Sequence, residues 1–225
     1  FFHNKKNELE GIDITIANEI AHALGVKLEI NSQAPSFNAV VDQVENDAAD
    51  IGLGSLSSTL TRGLHVSFST PYLKVNKVLI VNRVTDLKLE SEGTMPKGDQ
   101  IKFGVIKNSA YESFLKEKFY TISKYASPNN VVSYGTLEAA MKELMDGKIY
   151  ALFTDEIRAN YLLKNVKSAN IYSKKYMVDN QDDPLCLAVN FKNPTLLGWI
   201  NLFVASMDDS GMANAIFQQY LKGLK

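Results

Sequence analysis

At 225 residues with a formal net charge of −1, 45% hydrophobic and 22% charged, the chain is long enough for one large or two small domains with real cores. No basic tract marks it as a nucleic-acid binder. Its single cysteine, Cys186, excludes an intrachain disulfide and leaves the compartment open, and no apolar run reaches the roughly eighteen residues of a membrane span.

In chain order, residues 1–11 read as a polar turn leading to Gly11. A helix is predicted from about Thr15, with Ile16, Ile20 and Leu24 on one face and Gly25 as its stop. Residues 26–30 alternate apolar and polar, the pattern of a strand. A loop over 31–36 ends at Phe37, and Ala39, Val40 and Val44 mark a second amphipathic helix. The apolar run 51–54 then reads as a buried strand that ends in the hydroxyl cluster Ser55, Ser57, Ser58, Thr59 and Thr61, followed by Arg62. Further on, 78–81 is a strand and the polar residues through Lys102 read as a loop. A strand at 103–106 turns through residues 107–110 into a helix, and 131–134 is another strand. Residues 137–147 carry apolar groups at 137, 140, 141, 144 and 145, which is helical spacing, ahead of a strand at 149–153 and a helix over 158–163. Residues 173–183 read as polar and irregular. A strand at 184–189 and two helices, at 193–207 (Trp199 and Phe203 on its apolar face) and 211–221, complete the chain. Alternating short strands and helices make this an α/β protein. Two helix–turn–strand stretches repeat at an offset of one hundred residues, setting Val44 against Leu144 and Ser55 against Asp155. They suggest two lobes built alike.

Two positions stand out chemically. Arg62 is one of only three arginines; among hydroxyls at a strand's carboxyl end, it suits a planar carboxylate gripped by two parallel hydrogen bonds. A solvated turn with a surface arginine fits the same spacing. Asp155 closes the apolar run Ala151-Leu152-Phe153-Thr154, and a carboxylate delivered into such surroundings is costly unless a cation pairs with it. It is equally a helix N-cap, as the serines near Arg62 are possible strand-end caps. His3, His22 and His65 lack metal-ligand spacing, and Gly52-x-Gly54 and Gly147-Lys148 lack the glycines of phosphate loops. No nucleophile elbow is present and Cys186 sits in an apolar strand, so the expectation is a protein with no metal, no cofactor and no catalytic residues.

Residues 50–72, DIGLGSLSSTLTRGLHVSFSTPY, resemble the signature of the bacterial extracellular solute-binding proteins, family 3, the periplasmic polar amino acid-binding proteins of ABC transporters. An Asp-initiated strand, a T-x-x-R turn and F-S-x-P-Y carry the likeness. It implies a two-lobe periplasmic binding protein (type II) α/β fold with two crossover strands: lobe one over 1–73 plus 186–225, lobe two over 77–178, and crossovers at 73–76 and 178–186. It also implies a ligand held in a cleft that closes around it. Arg62 would take the ligand's α-carboxylate, aided by Thr59 and Ser57, with the Ser55 carbonyl facing the ammonium. Asp155 matches the last aspartate of the family's G-x-x-D-A-x-x-x-D and would bind that ammonium; Gly147 and Ala151 match, while Tyr150 replaces the inner aspartate. Ser109 and Ala110 fall in the family's G-T-T turn, with Asn108 in place of its glycine. Phe37 falls where an aromatic stacks on the ligand side chain, and Gly11-Ile12-Asp13 matches a G-F-D that adds Asp13 to the site set.

The resemblance further implies a monomer, located in the periplasm or lipid-anchored outside the cytoplasm, that delivers a free amino acid to the membrane permease of an ABC importer. The family's first strand and signal peptide are not matched by these residues. Two alternatives share the fold: the ligand-sensing domain of a membrane receptor, and an enzyme resembling the cyclohexadienyl dehydratases, for which Glu156 would be the candidate general acid.

Overall fold

A computed structural model of the chain describes residues 2–3, 6–91, 101–122, 128–166, 168–175 and 182–221. It begins with a short hairpin, β1 (Phe2–His3) and β2 (Leu9–Glu10), then helices α1 (Ile12–Leu24) and α2 (Phe37–Glu45). Strands β3 (Ile51–Ser57), β4 (Ser67–Phe68), β5 (Leu73–Val75) and β6 (Lys77–Asn82) follow, with α3 (Arg83–Ser91) after them. Next come β7 (Phe103–Ile106), α4 (Ala110–Ile122), β8 (Val131–Tyr134), α5 (Leu137–Met145), β9 (Ala151–Asp155), α6 (Glu156–Val166) and β10 (Ile171–Lys175). Strand β11 (Asp183–Val189) and helices α7 (Pro194–Asp209) and α8 (Met212–Leu221) close the described chain. Two compact units result, Phe1–Lys74 with Pro184–Lys225, and Val75–Asp183. The chain therefore passes from one unit to the other twice; residues 178–181 of the expected second crossover lie outside the described residues.

The first unit is built on the sheet order β3-β11-β4, with β5 also pairing β11. Val41 and Val44 of α2, Leu56, Val66 and Ala188 form a buried cluster rimmed by Phe37, Val40 and Phe68. Helix α2 lies so close to β3 that a Cβ on Gly52 would sit 3.0 Å from Val44 and 3.1 Å from Val40; glycine is what permits that approach. The antiparallel β3–β11 ladder is interrupted: Leu56 pairs Cys186 and Gly52 pairs Ala188, so three residues of β3 stand opposite Leu187 alone. Gly54 (φ 140) and Ser55 (φ 53) absorb the excess, as in a β-bulge. Leu187 bonds Ser69 instead, accepting its N–H at 2.9 Å and donating its own to the Ser69 hydroxyl at 3.0 Å.

The second unit carries a five-stranded sheet, β10-β6-β9-β7-β8, antiparallel at β10/β6 and β6/β9 and parallel at β9/β7/β8. Both faces are covered. Val78, Ile80 and Leu152 pack with Ala140, Met141 and Leu144 of α5 and Ala159 and Leu162 of α6 on one side. Val81, Ala151 and Phe153 pack with Tyr111 and Leu115 of α4 on the other. That double burial is why β9 reads as an unbroken apolar run.

Three sequence expectations are corrected. Residues 26–30 form no strand: no described strand lies alongside to take their N–H and C=O groups, and Val26 and Ile30 are exposed. The stretch after β6, expected as a loop through Lys102, opens with α3; residues 92–100 lie outside the described residues. This helix is short of apolar residues, and a buried Asp86 pins it, accepting hydrogen bonds from Tyr150 (2.8 Å) and Tyr172 and pairing with Lys174. Residues 173–175 belong to β10, a polar edge strand whose regularity comes from its ladder with β6; residues 176–181 lie outside the described residues.

Candidate functional site

In the first unit the end of β3 and the turn after it form one polar cluster. The Arg62 side chain is folded inward, and the residue is 6% exposed. Its guanidinium donates to the Ser57 carbonyl at 3.1 Å and, through Nε, to Asn38 Oδ1 at 3.4 Å, and lies 5.6 Å from the centroid of the Phe37 ring. Desolvated on a ring face, such an arginine gains cation–π attraction as well as hydrogen bonds. Thr59 caps the turn: its hydroxyl accepts from the Arg62 N–H at 3.3 Å and its carbonyl from Gly63 at 2.9 Å. Arg62, Thr59, Ser57 and Phe37 are thus brought together. Leu60 and Leu64 of the same turn point outward, 95% and 77% exposed.

Asp13 and Ser55 meet a short way along β3. The buried Asp13 carboxylate accepts from the Tyr72 hydroxyl at 2.6 Å, the Ser55 N–H at 3.3 Å and the Ser55 hydroxyl at 3.4 Å. Its contacts hold Ser55 in the left-handed region, where a non-glycine residue is strained unless its surroundings over-determine it. Asp13 therefore shapes the bulge.

The second unit assembles a different cluster at the end of β9. Asp155 is 1% exposed and opens α6 as its cap, with Oδ1 accepting the Arg158 N–H at 2.8 Å and Oδ2 the Arg158 guanidinium. Close in electrostatic terms stands Tyr111, whose hydroxyl donates to Asp183 at 2.7 Å. Burial pushes that hydroxyl well above a tyrosine's ordinary pKa, and the Asp155 and Asp183 charges push it further, so it remains a neutral donor.

Ser109 precedes α4 and Ala110 opens it. Asn108 adopts the left-handed conformation (φ 60) that glycine would supply in its place. Ser109 is turned onto its own chain, its hydroxyl donating to Ile106 O at 2.6 Å and accepting from the Glu112 N–H at 3.2 Å. The first turn of α4 carries its own anion, Glu112, bonded by the Asn108 N–H, the Ser133 hydroxyl and Lys116. Burial would raise the Glu112 pKa; the Lys116, Ser133 and Asn108 hydrogen bonds outweigh it and leave it below the ordinary value. Sequence reasoning missed Asn38, Tyr72, Asp183 and the pairing role of Arg158. Only the last had a local signal, lying three residues beyond a helix-capping aspartate.

Each of the two α/β units thus carries a buried charged side chain at or just beyond a strand end, Arg62 in the first and Asp155 in the second. The chain belongs to the bacterial extracellular solute-binding proteins, family 3, whose model matches residues 1–223. It is 23% identical over 221 residues to an arginine-binding periplasmic protein of Mannheimia haemolytica, covering 97% of this chain and 85% of that protein. A cyclohexadienyl dehydratase of Pseudomonas aeruginosa is 24% identical over 160 residues, 70% of this chain and 55% of the enzyme. Among solved structures, an amino acid ABC transporter substrate-binding protein from Streptococcus pneumoniae bound to L-arginine superposes with a TM-score of 0.79 at 24% identity, covering 99% of this chain and 88% of that one. The fold is the type II periplasmic binding protein fold. Among the described residues no helix is long and apolar enough to cross a membrane.

Proposed function

We propose that this protein binds a free polar amino acid outside the cytoplasm and delivers it, as a monomer, to the membrane permease of an ABC importer. The two units are its lobes. Arg62 takes the α-carboxylate with Thr59 and Ser57 beside it, and Asp155 takes the α-ammonium, with Ser109, Ala110, Ser55 and Phe37 completing the surroundings and Asp13 supporting Ser55. The observation that carries this reading is the buried Arg62, seated on Phe37 and tethered to the Ser57 carbonyl at 3.1 Å. Such anchoring pre-sets the planar fork, so less rotamer entropy is lost when a carboxylate arrives. Basic amino acids head the ligand class, since the Mannheimia relative is named for arginine.

A thermal-shift panel of the twenty amino acids tests it: a ligand that binds only the folded state raises the melting temperature. L-arginine, L-lysine or L-histidine should give the largest rise. A flat panel would remove the proposal. The receptor-sensor reading predicts the same ligand and differs in what the protein engages, a signalling partner in place of a permease.

A second reading, a dehydratase, is favoured by the Pseudomonas similarity. It needs a general acid, and Glu156 is already committed: both its oxygens accept from the Asn76 side chain at 3.0 Å, and Oε1 also takes the Asn76 N–H at 3.0 Å. Turnover of prephenate or arogenate would revive it.

A further inference from the structure

The carboxylate assigned to the ligand's ammonium already holds a cation. Asp155 is delivered by the buried core strand of the second unit, and its side chain is 2% exposed. Burying a carboxylate charge there is costly unless a positive partner meets it. Both of its oxygens bond the same residue: Oδ1 the N–H of Arg158, Oδ2 its guanidinium. Arg158 sits three residues on, in the first turn of α6, with its side chain 21% exposed. Helix geometry places that guanidinium next to the capping aspartate, because residues three apart share a face. A buried charge and its counter-charge therefore come from one helix turn.

We propose that Arg158 is a specificity-determining residue: a resident counter-cation of Asp155 that competes with the α-ammonium of the incoming amino acid. The inference rests on the amino acid-binding reading above. It follows from the charges. An ammonium arriving at a bare buried carboxylate would gain the whole pairing energy, whereas one arriving at Asp155 gains only the difference between its own hydrogen bonds and those of the guanidinium it displaces. Arg158 thereby keeps the empty protein stable and weakens the contribution of the ammonium to affinity. The Tyr111–Asp183 pair stands in the same electrostatic neighbourhood. It does not relieve Asp155, since the tyrosine hydroxyl donates to Asp183.

The competition predicts an unusual sign: removing the arginine should tighten binding. L-arginine, L-lysine and L-histidine are titrated calorimetrically into the wild type, Arg158→Met and Arg158→Lys, alongside the analogues lacking the α-amino group, δ-guanidinovalerate, ε-aminocaproate and imidazolepropionate. Arg158→Met keeps the apolar stem without the charge. It should melt lower when empty, yet bind its amino acid about tenfold or more tightly, the size of a modest charge-pair coupling. Affinity for the analogue should stay within about twofold of wild type, so the amino acid-to-analogue ratio rises. Arg158→Lys, which retains a cation, should keep the wild-type ratio. If the methionine variant fails to fold, Arg158→Gln, which keeps a side-chain donor, takes its place. A ratio unchanged or lowered in the uncharged variants, with the wild type binding normally, overturns the inference while leaving the amino acid reading intact. Binding of none of the three amino acids by the wild type overturns the basic-ligand reading, and the inference falls with it.

Discussion

Residues 36–57 and 136–155 are two versions of one device. Ser36 and Thr136 cap α2 and α5 by accepting the N–H groups of Ala39 and Ala139, each at 3.2 Å. Val44 and Leu144 are fully buried at matching points of the two helices. Each helix ends in a left-handed residue, Asp47 (φ 58) or Gly147 (φ 70), and the following N–H returns to the helix, Ala48 to Gln43 O at 2.8 Å and Lys148 to Glu143 O at 2.9 Å. Even the C-terminal carbonyls are met alike from distant segments: Asn190 donates to Val44 O at 3.0 Å and Asn82 to Leu144 O at 3.4 Å. The strands then diverge. β9 runs straight between β6 and β7 and delivers Asp155, whereas β3 bulges at Gly54 and Ser55 before the turn that carries Arg62. One local grammar thus brings opposite charges to two strand ends. The strands alongside determine whether the backbone at that point is regular or strained.

The largest expected effect falls on the point of divergence. If Arg62 grips the carboxylate in a desolvated site, Arg62→Ala should weaken ligand binding by about 2–5 kcal/mol, roughly thirty-fold to several thousand-fold. Arg62→Lys should also fail, having the charge without the fork. Titration of the folded variants decides it, and near-native affinity in Arg62→Ala would remove the functional half of the contrast.

The shared part is tested by stability. Leu144→Ala should destabilise by about 2–5 kcal/mol in urea unfolding. Val44→Ala deletes two carbons rather than three and should cost less. A reversed order would mean that the two buried positions are not equivalent.

Acid tests the second unit in another way. Burial would raise the Asp86 pKa, but the Lys174, Tyr172 and Tyr150 hydrogen bonds outweigh it and hold it below the ordinary carboxylate value; Glu112 is lowered too. A depressed folded pKa means these groups stabilise fully above their unfolded values and lose that contribution as pH falls through the folded ones. Asp86→Asn should lower stability at neutral pH and flatten the acid fall of the melting temperature. An acid limb as steep as wild type would place the loss elsewhere.

The smallest effect concerns the caps. Ser36→Ala and Thr136→Ala should each cost about 1 kcal/mol, while Ser36→Thr and Thr136→Ser should be within a few tenths. Unequal alanine costs in chemical denaturation would show that tertiary contacts have made one cap redundant.

What the sequence determined by itself is what neighbours along the chain can decide. Helical spacing marked α2 and α5, the continuous apolar run marked β9, and a scarce arginine after hydroxyls and an aspartate closing that run marked the two strand ends. Tertiary structure decided whatever needs a partner from far away. Residues 26–30 alternate like a strand and are not one, because a strand exists only where another chain segment takes its hydrogen bonds. Helix α3 has a weak apolar pattern and exists all the same, because Asp86 finds Tyr150 and Tyr172 some sixty and ninety residues on. The strained Ser55 is invisible locally, since Asp13 and Tyr72 impose it from outside β3. Even Arg158, three residues from Asp155, is an ordinary helical arginine until the sheet buries that carboxylate and the guanidinium becomes its counter-charge.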